Sequence, residues 1–136
     1  MDHRKLKAEL ERDEGLRLKP YQDTVGKLTI GVGRNLDDVG ISKAEADFLL
    51  RADIERAEFD ARLLVSCFEQ LTDARQRVLV NMAFNLGRPR LGKFRKFLAA
   101  VAAGDWHTAA REMLDSAWAE QVGDRATRLA RMMREG

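Results

Sequence analysis

Leu6 and Leu10 lie one helical turn apart in an otherwise polar stretch, so His3 to about Asp13 reads as a helix with Gly15 as its stop. The apolar period then drops to two. Leu18 and Tyr21 precede the turn-forming run Asp23-Thr-Val-Gly26, after which Leu28, Ile30 and Val32 alternate with Thr29, Gly31 and Gly33. That pattern predicts a strand, a tight turn and a second strand, and Pro20 suits an edge position. Ser42-Lys-Ala-Glu45 is a capping box opening a helix to about Leu64. Ala46, Leu50, Ile54, Ala57, Ala61 and Leu64 make its apolar stripe, with Asp47/Arg51 and Glu58/Arg62 as i,i+4 pairs. Thr72 caps a helix bearing Leu79, Met82, Ala83 and Leu86 that stops at Gly87 and Pro89. A short helix around Phe94 to Val101 ends at Gly104, and Asp105 caps another with Trp106, Ala109, Ala110, Met113 and Leu114 inside. Asp124, after Gly123, caps a last one with Leu129, Met132 and Met133. The expected class is α+β: a helix, a small antiparallel hairpin, then about five helices.

Composition narrows this picture. The chain has 136 residues, 45% of them apolar and 34% charged, which is globular and of single-domain size. One cysteine, Cys67, excludes an intrachain disulfide framework and a multi-cysteine zinc site. His3 and His107 are too far apart in sequence to suggest a histidine-based metal site, so neither metal nor other cofactor is expected. No run approaches the roughly 20 apolar residues of a membrane span, and the first residues lack the apolar stretch of a secretory signal.

The net charge of +2 argues against a general nucleic-acid binder. It is unevenly spread, with 12 basic and 14 acidic residues through Phe68 and 12 basic and 8 acidic after it. Arg75, Arg77, Arg88, Arg90, Lys93, Arg95 and Lys96 follow one another with no acidic residue between Asp73 and Asp105. Such a run faces either a polyanion or plain solvent.

Glu14 ends the first helix, Asp23 lies at the hairpin tip and Thr29 is on the return strand. A carboxyl pair on one wall is what glycoside hydrolysis needs, one to protonate the leaving oxygen and one to assist water or attack carbon. Turn chemistry alone also explains an aspartate at Asp23. Gly31-Val-Gly33 lacks the third glycine and the helix of a nucleotide loop and reads as close backbone packing. Cys67 reads as a core filler, His107 as a surface residue and Trp106 as core, while Trp118 suits either core packing or sugar stacking.

Three blocks together carry a family resemblance. Asp13-Glu14-Gly15-Leu-Arg-Leu-Lys-Pro-Tyr21-Gln-Asp23-Thr-Val-Gly-Lys-Leu-Thr29-Ile-Gly-Val-Gly33, with its spacings of nine and six residues, resembles the catalytic signature of the phage-type lysozymes, glycoside hydrolase family 24. Asn81-Met-Ala-Phe84-Asn-Leu-Gly87 resembles that family's central helix, and Trp118-Ala-Glu-Gln121-Val-Gly-Asp-Arg125-Ala-Thr-Arg128 its C-terminal lobe. The resemblance implies one lysozyme-like domain over 1–136. It would have a hairpin lobe at about 15–41, a connecting helix at about 43–64, and a helical lobe of about 65–136 plus the N-terminal helix. It implies a muramidase cutting the β-1,4 bond between N-acetylmuramic acid and N-acetylglucosamine in peptidoglycan. Glu14 would be the general acid, Asp23 would orient or activate water, and Thr29 would help hold that water. Phe84, Asn85, Trp118, Gln121, Arg125 and Arg34 would bind substrate or support the site, Arg125 pairing with the acid. The family is regarded as inverting, which sets the carboxyl groups about 6.5–9.5 Å apart.

Two departures stand out. Arg34 occupies the position where the family often has histidine, so that histidine's salt bridge is either absent or remade with arginine. Only eight residues, Asn35 to Ser42, separate the hairpin from the capping box, which implies a smaller N-terminal lobe and a more open cleft.

The leading expectation is thus a phage or prophage endolysin. It would be a monomer made in the host cytoplasm and released through a phage-made membrane hole. Segments 75–96 and 125–134 would contact anionic wall or outer-membrane lipid. The alternatives are a non-catalytic cationic wall- or membrane-disrupting module, for which the basic amphipathic end Arg125–Arg134 is suited, a helical nucleic-acid binder, and a lytic transglycosylase. Retention of Asp23 favours hydrolysis.

Overall fold

The change of period at Gly15 is where the first helix gives way to sheet. A computed structural model describes all 136 residues, Met1–Gly136, and divides into two compact units, Met1–Phe48 and Leu49–Gly136. In the first unit, α1 (His3–Glu14) is capped by Asp2, whose side chain accepts from the Lys5 amide. It ends at Gly15, where φ is +76° and the amide donates to the Glu11 carbonyl. β1 (Arg17–Gln22) pairs antiparallel with β2 (Leu28–Gly31), Tyr21 opposite Thr29. β1 is an edge strand, and Pro20 falls in a register irregularity between Arg17 and Tyr21, so its missing amide breaks no regular ladder.

The hairpin gains a third strand that the alternation did not foretell. β3 (Arg34–Asn35) pairs with β2, Ile30 opposite Arg34. The chain reverses through Gly31-Val-Gly33, whose glycines take φ of +71° and +67°, a region that side chains other than glycine's enter at a cost. A two-residue strand has no period to read, which is why only the turn residues signalled it.

α2 (Lys43–Leu64) begins with the expected capping box. The Ser42 hydroxyl accepts from the Glu45 amide at 3.1 Å, and the Glu45 carboxylate accepts from the Ser42 amide at 2.9 Å. Arg62 meets Glu58 as expected, but Asp47 takes Lys43 one turn earlier rather than Arg51. The apolar stripe is buried only at Ala57 and Ala61, while Leu50 and Ile54 remain nearly half exposed.

The second unit holds the core. α3 (Asp73–Leu86) is capped by Thr72, and a short α4 (Arg88–Leu91) follows Gly87 directly, with Pro89 in its first turn. Pro89 therefore helps to start a helix instead of merely ending one. α5 (Arg95–Ala103) ends at the left-handed Gly104, and α6 (Trp106–Leu114) is capped by Asp105 through the Thr108 amide. α7 (Ala117–Val122), capped by Ser116, is too short for its period to stand out in sequence. Asp124 is the first residue of α8 (Asp124–Glu135) and not its cap, a place taken by Gly123. Leu79, Met82, Leu91, Phe97, Met113 and Met133 are fully buried and close the core of these helices. Cys67 packs against it half-buried, and His107 is exposed. No helix is long and apolar enough to cross a membrane.

Candidate active site

The expected chemistry gathers on the first unit. Asp23 sits at the corner leading from β1 into β2. Its Oδ1 accepts from the amides of Val25 (2.9 Å) and Lys27 (2.8 Å), and its own amide donates to the Lys27 carbonyl. These bonds are the turn chemistry that the sequence allowed for. They fall on one carboxylate oxygen, so Oδ2 is available to water or substrate, and the carboxylate's position is fixed by the turn that it builds. Thr29, the second residue of β2, is the molecule's one buried polar residue. Its hydroxyl donates to the Lys27 carbonyl at 2.9 Å, which leaves its lone pairs to accept from a water.

Glu14, the last residue of α1, is exposed and lies against the far end of β2. A Cβ built on Gly33 would fall 2.9 Å from Glu14 Oε2, so the carboxyl lies against the bare backbone of that glycine. β2 thus joins the two turns, with Asp23 in the one before it, Thr29 upon it and Glu14 against the one after it.

Arg34 answers the question its identity raised. Its guanidinium donates to both Glu45 oxygens, at 3.0 and 2.7 Å, and to the Gly40 carbonyl at 3.0 Å. Arg34 thus makes a salt bridge with Glu45, the N3 residue of the capping box. The Arg34 hydrogen bonds first, and the Ser42 amide second, hold the Glu45 carboxyl down at about 2. The sequence assigned Glu45 a capping role only. Its second partner comes from a strand 11 residues away, which no local pattern reveals.

The supporting residues gather on the second unit. Arg125 Nε and Nη2 donate to Asn81 Oδ1 at 2.9 and 2.7 Å. Asn81, Phe84 and Arg125 line a cavity of about 700 Å³ with Leu50, Ile54 and Leu129. Asn81 opens the central-helix block of the sequence, and its service to Arg125 depends on α3 and α8 packing together. Trp118 is buried, its ring packed edge-on against Phe94 and its Nε1 donating to Asn85 Oδ1 at 2.8 Å. A buried ring cannot stack on a sugar, so Trp118 supports Asn85 instead. Gln121 is exposed on α7. Trp106 is half-buried with the Arg75 guanidinium 4.0 Å above its ring.

Part of the basic run is paired within the molecule. Arg75 donates to the carbonyls of Met133 and Arg134, Arg77 pairs with Asp73, and Arg88 reaches Asp60 at 3.9 Å. Arg90, Lys93, Arg95 and Lys96 are exposed outside any ion pair.

The sequence profile of the phage lysozymes matches residues 11–135, nearly the whole chain. The chain belongs to the phage lysozyme family. Phage lysozyme relatives include an endolysin of Acyrthosiphon pisum secondary endosymbiont phage 1, 32% identical over 85% of this chain and 80% of that protein. Probable T4-type lysozyme 2 of Dictyostelium discoideum is 29% identical over 96% of this chain and 94% of its own length. The pre-baseplate central spike protein of Enterobacteria phage T4 is 32% identical over 93% of this chain, which spans only 27% of that larger protein. Membership places the chain among glycoside hydrolases of the lysozyme type, with the mostly helical α+β fold described above.

Proposed function

We propose that this phage lysozyme is an endolysin hydrolysing the β-1,4 bond between N-acetylmuramic acid and N-acetylglucosamine in peptidoglycan, with inversion. Glu14 is the general acid that protonates the leaving oxygen. Asp23, through Oδ2, draws a proton from the attacking water, and the Thr29 hydroxyl accepts a hydrogen bond from that water and orients it. Phe84, Asn85, Gln121 and Arg125 of the second unit hold the glycan strand, Trp118 and Asn81 fixing two of them. The single observation that carries the reading is Asp23, tied to its turn by one oxygen and free at the other, with the buried Thr29 hydroxyl on the strand that follows. A lytic transglycosylase has no use for a carboxylate and hydroxyl prepared to handle water.

A cationic membrane-disrupting module is less well supported. Its apolar face would be that of α8, yet Leu129 and Met133 are buried in the core. We assign the exposed Arg90, Lys93, Arg95 and Lys96 to contact with anionic wall polymer. The protein would be made in the host cytoplasm, leave through a phage-made membrane hole, and act as a monomeric single domain.

Mass analysis of sugar ends after digestion of purified Gram-negative sacculi tests the chemistry. Hydrolysis leaves reducing muramic acid ends, and anhydro ends would contradict it. Proton NMR of the fresh product should show the α-anomer first, as inversion requires.

A further inference from the structure

Gly33 has a constraint that its backbone angle does not explain. Five glycines of the first unit have positive φ: Gly15, Gly26, Gly31, Gly33 and Gly40. At Gly15, Gly26 and Gly31 an added Cβ would meet nothing within 4 Å, and at Gly40 only the Leu36 carbonyl at 4.0 Å. At Gly33 it would lie 2.9 Å from Glu14 Oε2, 3.0 Å from Cδ and 3.2 Å from Cγ. Real side chains do not sit this close, so a residue with a Cβ at this position displaces the Glu14 carboxyl.

The wall that Gly33 offers is held from both sides. The next residue, Arg34, is paired with Ile30 in the sheet and clamped to both oxygens of Glu45 and to the Gly40 carbonyl. The preceding turn is anchored by β2, which ends at Gly31. Glu14 approaches from the end of α1, whose last turn is closed by the Gly15 amide on the Glu11 carbonyl. An otherwise exposed side chain with three rotatable bonds thus has one of its sides defined by bare backbone.

We infer that Gly33 is a positioning residue for catalysis: the missing side chain lets the Glu14 carboxyl lie against the β2–β3 turn, and that contact fixes where its proton is presented. The inference rests on the reading of Glu14 as the general acid. Gly31 is its internal control, since it shares the turn and the positive φ but has no neighbour for a Cβ to strike.

The test compares Gly33→Ala, Gly33→Asn, Gly31→Ala and Glu14→Gln by kcat and apparent KM on purified Gram-negative sacculi, with a thermal melt of each. Both alanine variants should lose Tm to a similar degree, from the same backbone strain. Gly31→Ala should keep kcat within about two-fold. Gly33→Ala should lose about 10²-fold in kcat with apparent KM little changed, the scale on which a misplacement of about 1 Å acts. Gly33→Asn, which tolerates positive φ better, should melt higher yet lose as much kcat, so the test survives poor folding of the alanine variant. If Gly33→Asn retains kcat, or if Gly31→Ala loses it equally, the inference is overturned while an inactive Glu14→Gln leaves the assignment of the acid standing. A fully active Glu14→Gln overturns both.

Discussion

Glu45 illustrates how one side chain serves two levels of structure. Its carboxylate closes the capping box of α2 and accepts two bonds from Arg34, which holds its pKa at about 2 against an ordinary 4.5. A depressed carboxyl contributes stability above its unfolded pKa and loses it as pH falls through the folded value. The contribution is therefore complete above about pH 4.5 and disappears toward pH 2. In thermal melts across that window, Glu45→Gln should show a flatter fall of Tm with acidification than the parent protein. An identical acid limb in the two would show that the ion pair does not couple to folding. At the same scale, Asn81→Ala frees the half-buried Arg125 from its two bonds and should cost about 1–3 kcal/mol in urea denaturation, as for bonds to a charged group. The capping role of Glu45 was legible in the sequence, as were the places of Glu14 at the end of α1, Asp23 in the turn and Thr29 on the return strand, because spacing and caps are local. The partners of Arg34, Arg125 and Trp118 were not, because each comes from another element.

Among the elements, what could be read followed length. α2, α3, α5 and α6 carry enough turns to show a period, and their starts and stops were marked by Ser42, Thr72, Gly104 and Asp105. β3 has two residues, α4 four and α7 six, and none has a period to show. The stripe on α2 is plain in the sequence, but its burial depends on what packs there, and Leu50 and Ile54 line a cavity where a uniform stripe suggests core. On α8 the apolar side of the basic amphipathic segment closes the core, which its sequence pattern alone does not distinguish from a free surface. Met133→Ala on α8 should cost about 2–5 kcal/mol, as for a fully buried methionine, measured by urea denaturation. A loss below 1 kcal/mol would mean that this face is not buried in solution. Thr72→Ala should cost about 1 kcal/mol through loss of the α3 cap.

For the whole molecule, the near-neutral total conceals a division of labour by charge. The residues through Phe68, which include the carboxyl pair, are slightly acidic, and those after it are basic. Three arginines of the basic run bond within the molecule, which leaves Arg90, Lys93, Arg95 and Lys96 as its exposed cations outside any ion pair. Replacing these four by glutamine should weaken binding to sacculi at low salt and remove most of its salt dependence, since exposed charges act over a Debye length of about 10 Å at 0.1 M. Unchanged binding in a co-sedimentation series would remove the run from the account. The family itself was legible because its three blocks are ordered over most of the chain. The hydrogen bonds that load one Asp23 oxygen and not the other depend on the folded turn, which no local pattern specifies.

If Glu14 supplies the proton for bond cleavage, as proposed, the turbidity loss of permeabilised Gram-negative cells depends on that one carboxyl. Glu14→Gln keeps the shape of the side chain and removes its acid. The variant should fold, bind sacculi like the parent and clear nothing, whereas clearing at the parent's rate would contradict the mechanism.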